Sequence, residues 1–364
     1  MKLIDLGWDS DYESHFMEFN NDGYIPARVV SQHRNNYSLF YENGTINARL
    51  SGRICYSASK KNQLPVVGDW VAIKITDDEI QAIIYGVLPR KTSFVRKLPI
   101  SGGRKIRNGV ITGGVTEEQV IVSNVDIVFI VIGLDDNFNV QRVERYLTLA
   151  HNSGARPVII LNKSDCCDCL DDYRDKVQNV ASGISIHSVS AMNNIGMDAF
   201  NQYLQPGKTV VFLGSSGVGK STITNHLLGK ALQKTSETSR STGKGRHTTT
   251  SSQLIVHESG CMIIDTPGLR ELQLWCNEDA LEESFEDVTS IIHSCKYRDC
   301  KHNAEPGCAI KQALADGILD PKRLDSYNKL YLELQRLNRR LKQSEQYLSK
   351  KEKLFAKIKL KGHK

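Results

Sequence analysis

Gly214-Ser215-Ser216-Gly217-Val218-Gly219-Lys220-Ser221 fits the pattern GxxxxGK[ST] and follows directly on the apolar run Thr209–Leu213. A strand, a glycine-rich loop and a helix start, in that order, predict a phosphate-binding loop. The glycines let successive backbone N–H groups curl around an anion, and the helix N-terminus adds its positive end. Gly214 to Ser221, with Thr222 behind them, are therefore expected to hold nucleotide phosphates. Lys220 would reach the β- and γ-phosphates as a catalytic cation, and the Ser221 hydroxyl would bind Mg²⁺.

Working outward, apolar runs alternate with helix-length segments from about residue 123 to 270. The runs are Ile127–Leu134, Pro157–Leu161, Ile184–Val189, Thr209–Leu213, Leu254–His257 and Met262–Ile264; Val140–Asn152 and Gly219–Gly229 have helix length. That alternation predicts a mostly parallel sheet with helices on both faces. Three of the runs end in further motifs. Asp265-Thr266-Pro267-Gly268 fits DxxG, with Asp265 on Mg²⁺ and the Gly268 amide sensing the γ-phosphate. Asn162-Lys163-Ser164-Asp165 fits NKxD. The Asp165 carboxylate can accept from the N1–H and exocyclic amine of guanine, a donor pair that adenine lacks, so the site selects guanine. Ser190-Ala191 follows the next run and offers a backbone N–H for the guanine O6.

The order of these motifs is unusual. P-loop GTPases mostly run P-loop, DxxG, NKxD, then the Ser-Ala element. Here NKxD and Ser190-Ala191 come first, the P-loop follows, and Asp265 comes last. The order predicts a circular permutation, which is sterically tolerable because domain termini often lie close together. Pro206-Gly207 falls where the new connection would be. The permutation also makes the chain leave the GTPase core straight after its γ-phosphate sensor.

The chain has 364 residues, enough for two or three domains. Between about 21 and 120, short runs such as Tyr24–Val30, Tyr37–Tyr41, Asp69–Ile75 and Gln81–Leu88 are broken by turn residues, which predicts a small β-barrel. The boundaries read as an N-terminal extension 1–20, a barrel 21–120, a permuted GTPase domain 121–274, a helical metal-binding domain 275–335 and a basic tail 336–364. Eleven Lys or Arg stand against two Glu between Arg336 and Lys364, in a chain of net charge +6. Such a block suits nucleic acid or a solvated helix equally. The acidic N-terminus lacks the basic start and apolar stretch of a signal peptide, and no apolar run is long enough to span a membrane, so a cytoplasmic protein is expected.

A reducing compartment disfavours disulfides for the nine cysteines. Cys295, Cys300, His302 and Cys308 instead form C-x4-C-x-H-x5-C, a closed Cys₃His set of the kind that holds one structural zinc; His293 is a possible competing ligand. Cys166, Cys167 and Cys169 read as bystanders on a helix after NKxD.

Together these features resemble the ribosome small-subunit-dependent GTPase A (RsgA) family. The resemblance rests on the barrel before the GTPase, Gln119-Val120-Ile121 and Asn124-Val125-Asp126 at the junction, and the permuted order. It also rests on Gly245-Arg246-His247-Thr248-Thr249-Thr250, Asp265-Thr266-Pro267-Gly268-Leu269-Arg270 and the cysteine knot. It covers about residues 20 to 330. It implies an OB-fold barrel, a Ras-like permuted domain and a zinc domain. It further implies GTP hydrolysis stimulated by the small (30S) ribosomal subunit during late maturation, by a protein expected to be monomeric. The run Arg90-Lys91-Thr92-Ser93-Phe94-Val95-Arg96-Lys97, with Arg104, Lys105 and Arg107, offers the cations and aromatic by which such barrels bind rRNA.

Hydrolysis needs a group to position water. Leu269 stands where Ras-like enzymes carry a Gln, so free turnover is expected to be slow. His247, in the long polar segment Gln233–Ser252, is the candidate, and the resemblance points to the same residue. Thr249, or its neighbours Thr248 and Thr250, would bind Mg²⁺ and the γ-phosphate. The competing expectation is a non-catalytic GTP-dependent RNA-binding scaffold.

Overall fold

Strands β10 (Ile127–Gly133) and β13 (Thr209–Leu213) are buried along their whole length, as expected of apolar runs at the centre of a parallel sheet. The computed structural model describes residues 2–57, 61–77, 80–98, 105–107, 110–112, 118–229, 252–266, 269, 276–303 and 305–361. His247, Thr248, Thr249, Thr250 and Gly268 lie outside them.

Among the described residues nine strands precede β10, in the barrel and the segment after it. They are β1 (Ile25–His33), β2 (Asn36–Tyr41), β3 (Gly44–Leu50), β4 (Trp70–Ile75), β5 (Gln81–Val87), β6 (Ser93–Lys97), β7 (Lys105–Arg107), β8 (Val110–Thr112) and β9 (Glu118–Ser123). The first five run in the order β1-β2-β3-β5-β4, and β1 pairs again with β4. That closure makes the five-stranded OB-type barrel, with β3 parallel to β5 and the other pairs antiparallel. Ala27, Val29, Leu39, Ile46, Val71 and Ile84 fill its core. β3 went unread in the sequence, although Ile46 and Ala48 alternate inward along it. β7 pairs with β8, and β6 with β9.

The N-terminal extension packs on the barrel. Helix α1 (Ser10–Phe16) is capped by Asp9, whose side chain accepts from the Asp11 and Tyr12 amides. Trp8 packs edge-on against Trp70 of β4, with ring centroids 4.7 Å apart. Helix α2 (Gly52–Ser57) follows β3.

The GTPase sheet adds β11 (Arg156–Asn162), β12 (Ile186–Val189), β14 (Gln253–Val256) and β15 (Met262–Asp265) to β10 and β13. Its order is β12-β11-β10-β13-β15-β14, and only β14 is antiparallel. Helices α3 (Val140–Ser153), α4 (Leu170–Gln178) and α5 (Lys220–Leu227) connect the strands. The barrel and this sheet form one compact unit, Met1–Val95 with Val120–Leu272. Barrel strand β1 pairs with β14 at Ser31 and Gln253.

The second unit comprises Arg96–Gln119 and Gln273–Lys364. It contains α6 (Glu278–Ser284), α7 (Glu286–His293), α8 (Ala309–Ala315) and the 41-residue α9 (Pro321–Lys361). Arg323 of α9 forms a bidentate ion pair with Asp287 at 2.9 and 3.0 Å and lies over the Phe285 ring. The basic stretch after Arg336 continues α9 as far as Lys361.

Candidate nucleotide site and metal cluster

The described residues of the sequence motifs sit at the carboxyl ends of the parallel strands β11, β12, β13 and β15, where α/β sheets take ligands. Gly214, Gly217 and Gly219 all have positive φ, at 156°, 82° and 97°. Two of these also leave no room for a side chain. A Cβ on Gly214 would lie 2.4 Å from the Val131 carbonyl oxygen, and one on Gly219 would lie 2.2 Å from Asn162 Nδ2. Lys220 folds back along its own loop and is buried. Its Nζ donates to the Gly214 oxygen at 2.7 Å and the Ser215 oxygen at 2.5 Å, which holds the ammonium inside the curl.

Asn162 joins three motifs. Its Nδ2 donates to the Val218 carbonyl at 2.8 Å, and its Oδ1 accepts from the Ala191 amide at 3.1 Å. One buried amide thus braces the P-loop against the Ser-Ala loop. Its neighbour Lys163 takes φ 66°, and Nζ donates to Asp135 Oδ2 at 2.6 Å. Burial alone would raise the Asp135 carboxyl, but the Lys163 hydrogen bond and charge bring it below its ordinary value. Asp165 projects toward solvent, and a hydrogen bond from Ser190 holds its carboxyl low. It is therefore an anion at neutral pH. Arg142 of α3 donates to Ser215 Oγ at 3.2 Å, adding support behind the loop.

A small pocket beside the P-loop is lined by Phe212, Lys220, Ser221, Thr224, Asp265 and Thr266. A hydroxyl and a carboxylate facing one space suit a hard cation that brings its own phosphate and water ligands, as Mg²⁺ does. Ser252 and Thr266 hydroxyls lie 2.6 Å apart, which ties the residue that re-enters β14 to the strand end at Asp265. Leu269 is fully buried, so it offers nothing to a water molecule.

In the second unit, the Cys295, Cys300 and Cys308 sulfurs and one His302 nitrogen all lie within 4.8 Å of one another. His302 Nδ1 is 3.6 Å from Cys295 Sγ and 3.5 Å from Cys308 Sγ. A tetrahedral zinc with Zn–S near 2.3 Å and Zn–N near 2.05 Å would separate S and N by about 3.6 Å. The four residues can therefore hold one metal ion. His293 is not part of the converging group. Cys166 ends a short 3-10 turn and Cys169 caps the start of α4, so these cysteines precede the helix rather than ride on it.

Two cations of the basic run after β5 are paired within the protein. Arg90 places Nε and Nη2 on Asp69 at 2.7 Å each and donates further to the Asn62 and Leu64 carbonyls. Lys91 is held by Asp9 and Asp11 at 2.6 and 2.7 Å. Phe94 is buried. Arg90 is committed to Asp69, a buried carboxylate that needs a cation, whereas Lys91 pairs with Asp9 and Asp11 at the surface. Arg104 lies outside the described residues. Tyr56 of α2 is 95% exposed, with exposed Arg53 three residues before it.

The family profile described as "RsgA GTPase" matches residues 104–275. The chain is 41% identical over 342 residues to "Small ribosomal subunit biogenesis GTPase RsgA" of Opitutus terrae, covering 92% of this chain and 90% of that one. It is 42% identical over 336 residues to the protein of the same description from Syntrophotalea carbinolica, with the same coverage. Among solved structures, YjeQ from Thermotoga maritima is similar with a TM-score of 0.60 and 27% identity, over 85% of this chain and 99% of that one. YloQ, described as a circularly permuted GTPase, matches in fold with a TM-score of 0.58 and 24% identity, over 86% and 96%.

Proposed function

Since this chain belongs to the RsgA GTPase family and is a GTP hydrolase, we propose that it binds the small ribosomal subunit and couples hydrolysis to that subunit's late maturation. The observation that carries the reading is Asn162, which holds a phosphate-binding loop and a guanine-binding loop in one buried hydrogen-bonded unit. In this reading Asp165 and the Ala191 amide read guanine, Gly214–Thr222 hold the phosphates, and Gly268 senses the γ-phosphate. Ser221, Asp265 and Thr249 hold Mg²⁺, which when bound neutralises charge on the phosphates. Lys220 leaves its loop carbonyls for the phosphates, and His247 orients the attacking water. One structural zinc sits on Cys295, Cys300, His302 and Cys308, and the setting is a cytoplasmic monomer. The domain boundaries proposed are those read from the sequence, with the first twenty residues serving as a buttress of the barrel. A scaffold that does not hydrolyse GTP lacks support, because the family is one of hydrolases.

The rRNA contact is assigned to the barrel at Tyr56 and Arg53, where a base can stack beside a cation. The test is GTP turnover with and without purified small subunits. With Leu269 buried and apolar where a glutamine would orient water, turnover should be slow alone and strongly stimulated by subunits. His247→Ala should remove most of the stimulation while GTP and subunit affinities stay near wild type. Turnover unaffected by small subunits would refute the reading.

A further inference from the structure

Arg28 lies in β1 of the barrel and is 2% exposed, yet among the described residues no carboxylate accepts from its guanidinium. Its acceptors come from five separate stretches of chain. Nη1 donates to the Leu6 carbonyl and to Met262 Sδ. Nη2 donates to the Asn124 carbonyl at 3.1 Å and Thr209 Oγ1 at 2.8 Å, and Nε to the Gly68 carbonyl at 3.3 Å. The Trp70 ring centroid lies 5.6 Å from the guanidinium carbon.

Burying a cation that pairs with no anion is costly. What this one gains is geometry, because a planar fork with five donors can fix several segments at once. Two of those segments matter for catalysis. Thr209 opens β13, which runs into the P-loop, and Met262 opens β15, which ends at Asp265. At about 3.3 Å per residue, Met262 stands about 10 Å from Asp265 along an extended strand. The remaining segments belong to the barrel, its N-terminal buttress and the junction. β1 reaches the GTPase sheet again three residues later, where Ser31 pairs with Gln253 of β14.

We infer that Arg28 is a positioning residue for GTP hydrolysis, locking the barrel to the bases of the two strands that carry the phosphate and magnesium elements. With the lock in place, a shift of β15 on exchanging GDP for GTP moves the barrel, and a force on the barrel reaches Asp265. The inference rests on the nucleotide site assigned above, and it can be tested without ribosomal subunits.

Trp8 and Trp70 lie beside the lock and report on it by fluorescence. In a Trp275→Phe background, replacing GDP by a non-hydrolysable GTP analogue should shift their emission. Arg28→Met should abolish that shift while the analogue's Kd changes by less than about threefold. Thr209→Val, which removes one acceptor on the GTPase side only, should reduce it. The same Arg28→Met protein should show subunit-stimulated kcat reduced about tenfold or more, the scale of a typical coupling, with KM for GTP unchanged. An emission shift that persists in both variants overturns the inference, as does its absence in the Trp275→Phe parent. Loss of analogue binding in step with the shift overturns it too, since Arg28 would then serve folding alone. Absence of subunit stimulation in the wild type would instead strike the proposed function, leaving the fluorescence result to decide the lock.

Discussion

Asn162→Ala is the substitution whose effect the geometry sizes best. The side chain is 3% exposed and satisfies the Val218 carbonyl and the Ala191 amide, both on buried residues. Truncation leaves two buried backbone groups without partners, each costing about 1–3 kcal/mol. The sum is about 2–6 kcal/mol, to be shared between weaker packing and weaker ligand binding. Both groups lie on the loops proposed above to face nucleotide, so relaxing them toward water should loosen the site before the core. If only about 2 kcal/mol falls on binding, GDP affinity drops about 30-fold. Equilibrium titration with a fluorescent GDP, alongside thermal unfolding with and without nucleotide, separates the two shares. An Asn162→Ala protein that binds GDP within about threefold of wild type would refute the reasoning, whatever its melting temperature. Gly219→Ala offers an internal control. Its Cβ would lie 2.2 Å from Asn162 Nδ2, so it should produce a similar loss, and the two changes together should cost less than their sum.

Asp165→Asn should turn base preference from guanine toward xanthine, checked by competition between GTP and xanthosine triphosphate; unchanged GTP affinity would dismiss Asp165 as the base reader. Because Ser190 holds the Asp165 carboxyl below its ordinary 3.8, guanine affinity should be flat from pH 8 down to about 5 and weaken only as pH falls toward that carboxyl's own range. Elemental analysis should find about one zinc per chain, the content of a single four-ligand site. Cys308→Ala should lose it and loosen the second unit while GDP binding persists, and full zinc content in that variant would exclude the ligand set. Arg90→Ala should destabilise the barrel by about 3–5 kcal/mol, because it strands the fully buried Asp69, and denaturant unfolding followed by Trp fluorescence measures it.

The parts legible in the sequence were those whose signal is local. Gly214–Ser221 needs only its own spacing, and β10 and β13 need only their unbroken apolar runs. The Cys₃His set was legible because its four ligands fall within a short span from Cys295 to Cys308. Residues that act across the fold were not. Arg28 reads as an ordinary strand cation until Thr209 and Met262 are seen on its far side. Asp135 gains its meaning only from Lys163, and Arg142 only from Ser215. Two cations of the Arg90–Lys97 run illustrate the same point. The charges of Arg90 and Lys91 are local, but the carboxylates that pair with them, Asp69, Asp9 and Asp11, lie far off in sequence or outside the barrel's own span.

The pairing of Ser31 with Gln253 bears on how the GTPase domain can be handled by itself. β14 is the last strand of the Ras-like sheet, and without the barrel its outer backbone groups would have one fewer partner to meet. An unprotected sheet margin recruits other strands, including those of a second copy. Excising residues 121–274 also removes Arg28 from Thr209 and Met262, leaving a polar and an apolar side chain newly wet at the foot of the central strands. The fragment that carries every nucleotide motif is thus poorly suited to expression on its own, and self-association should rise with its concentration.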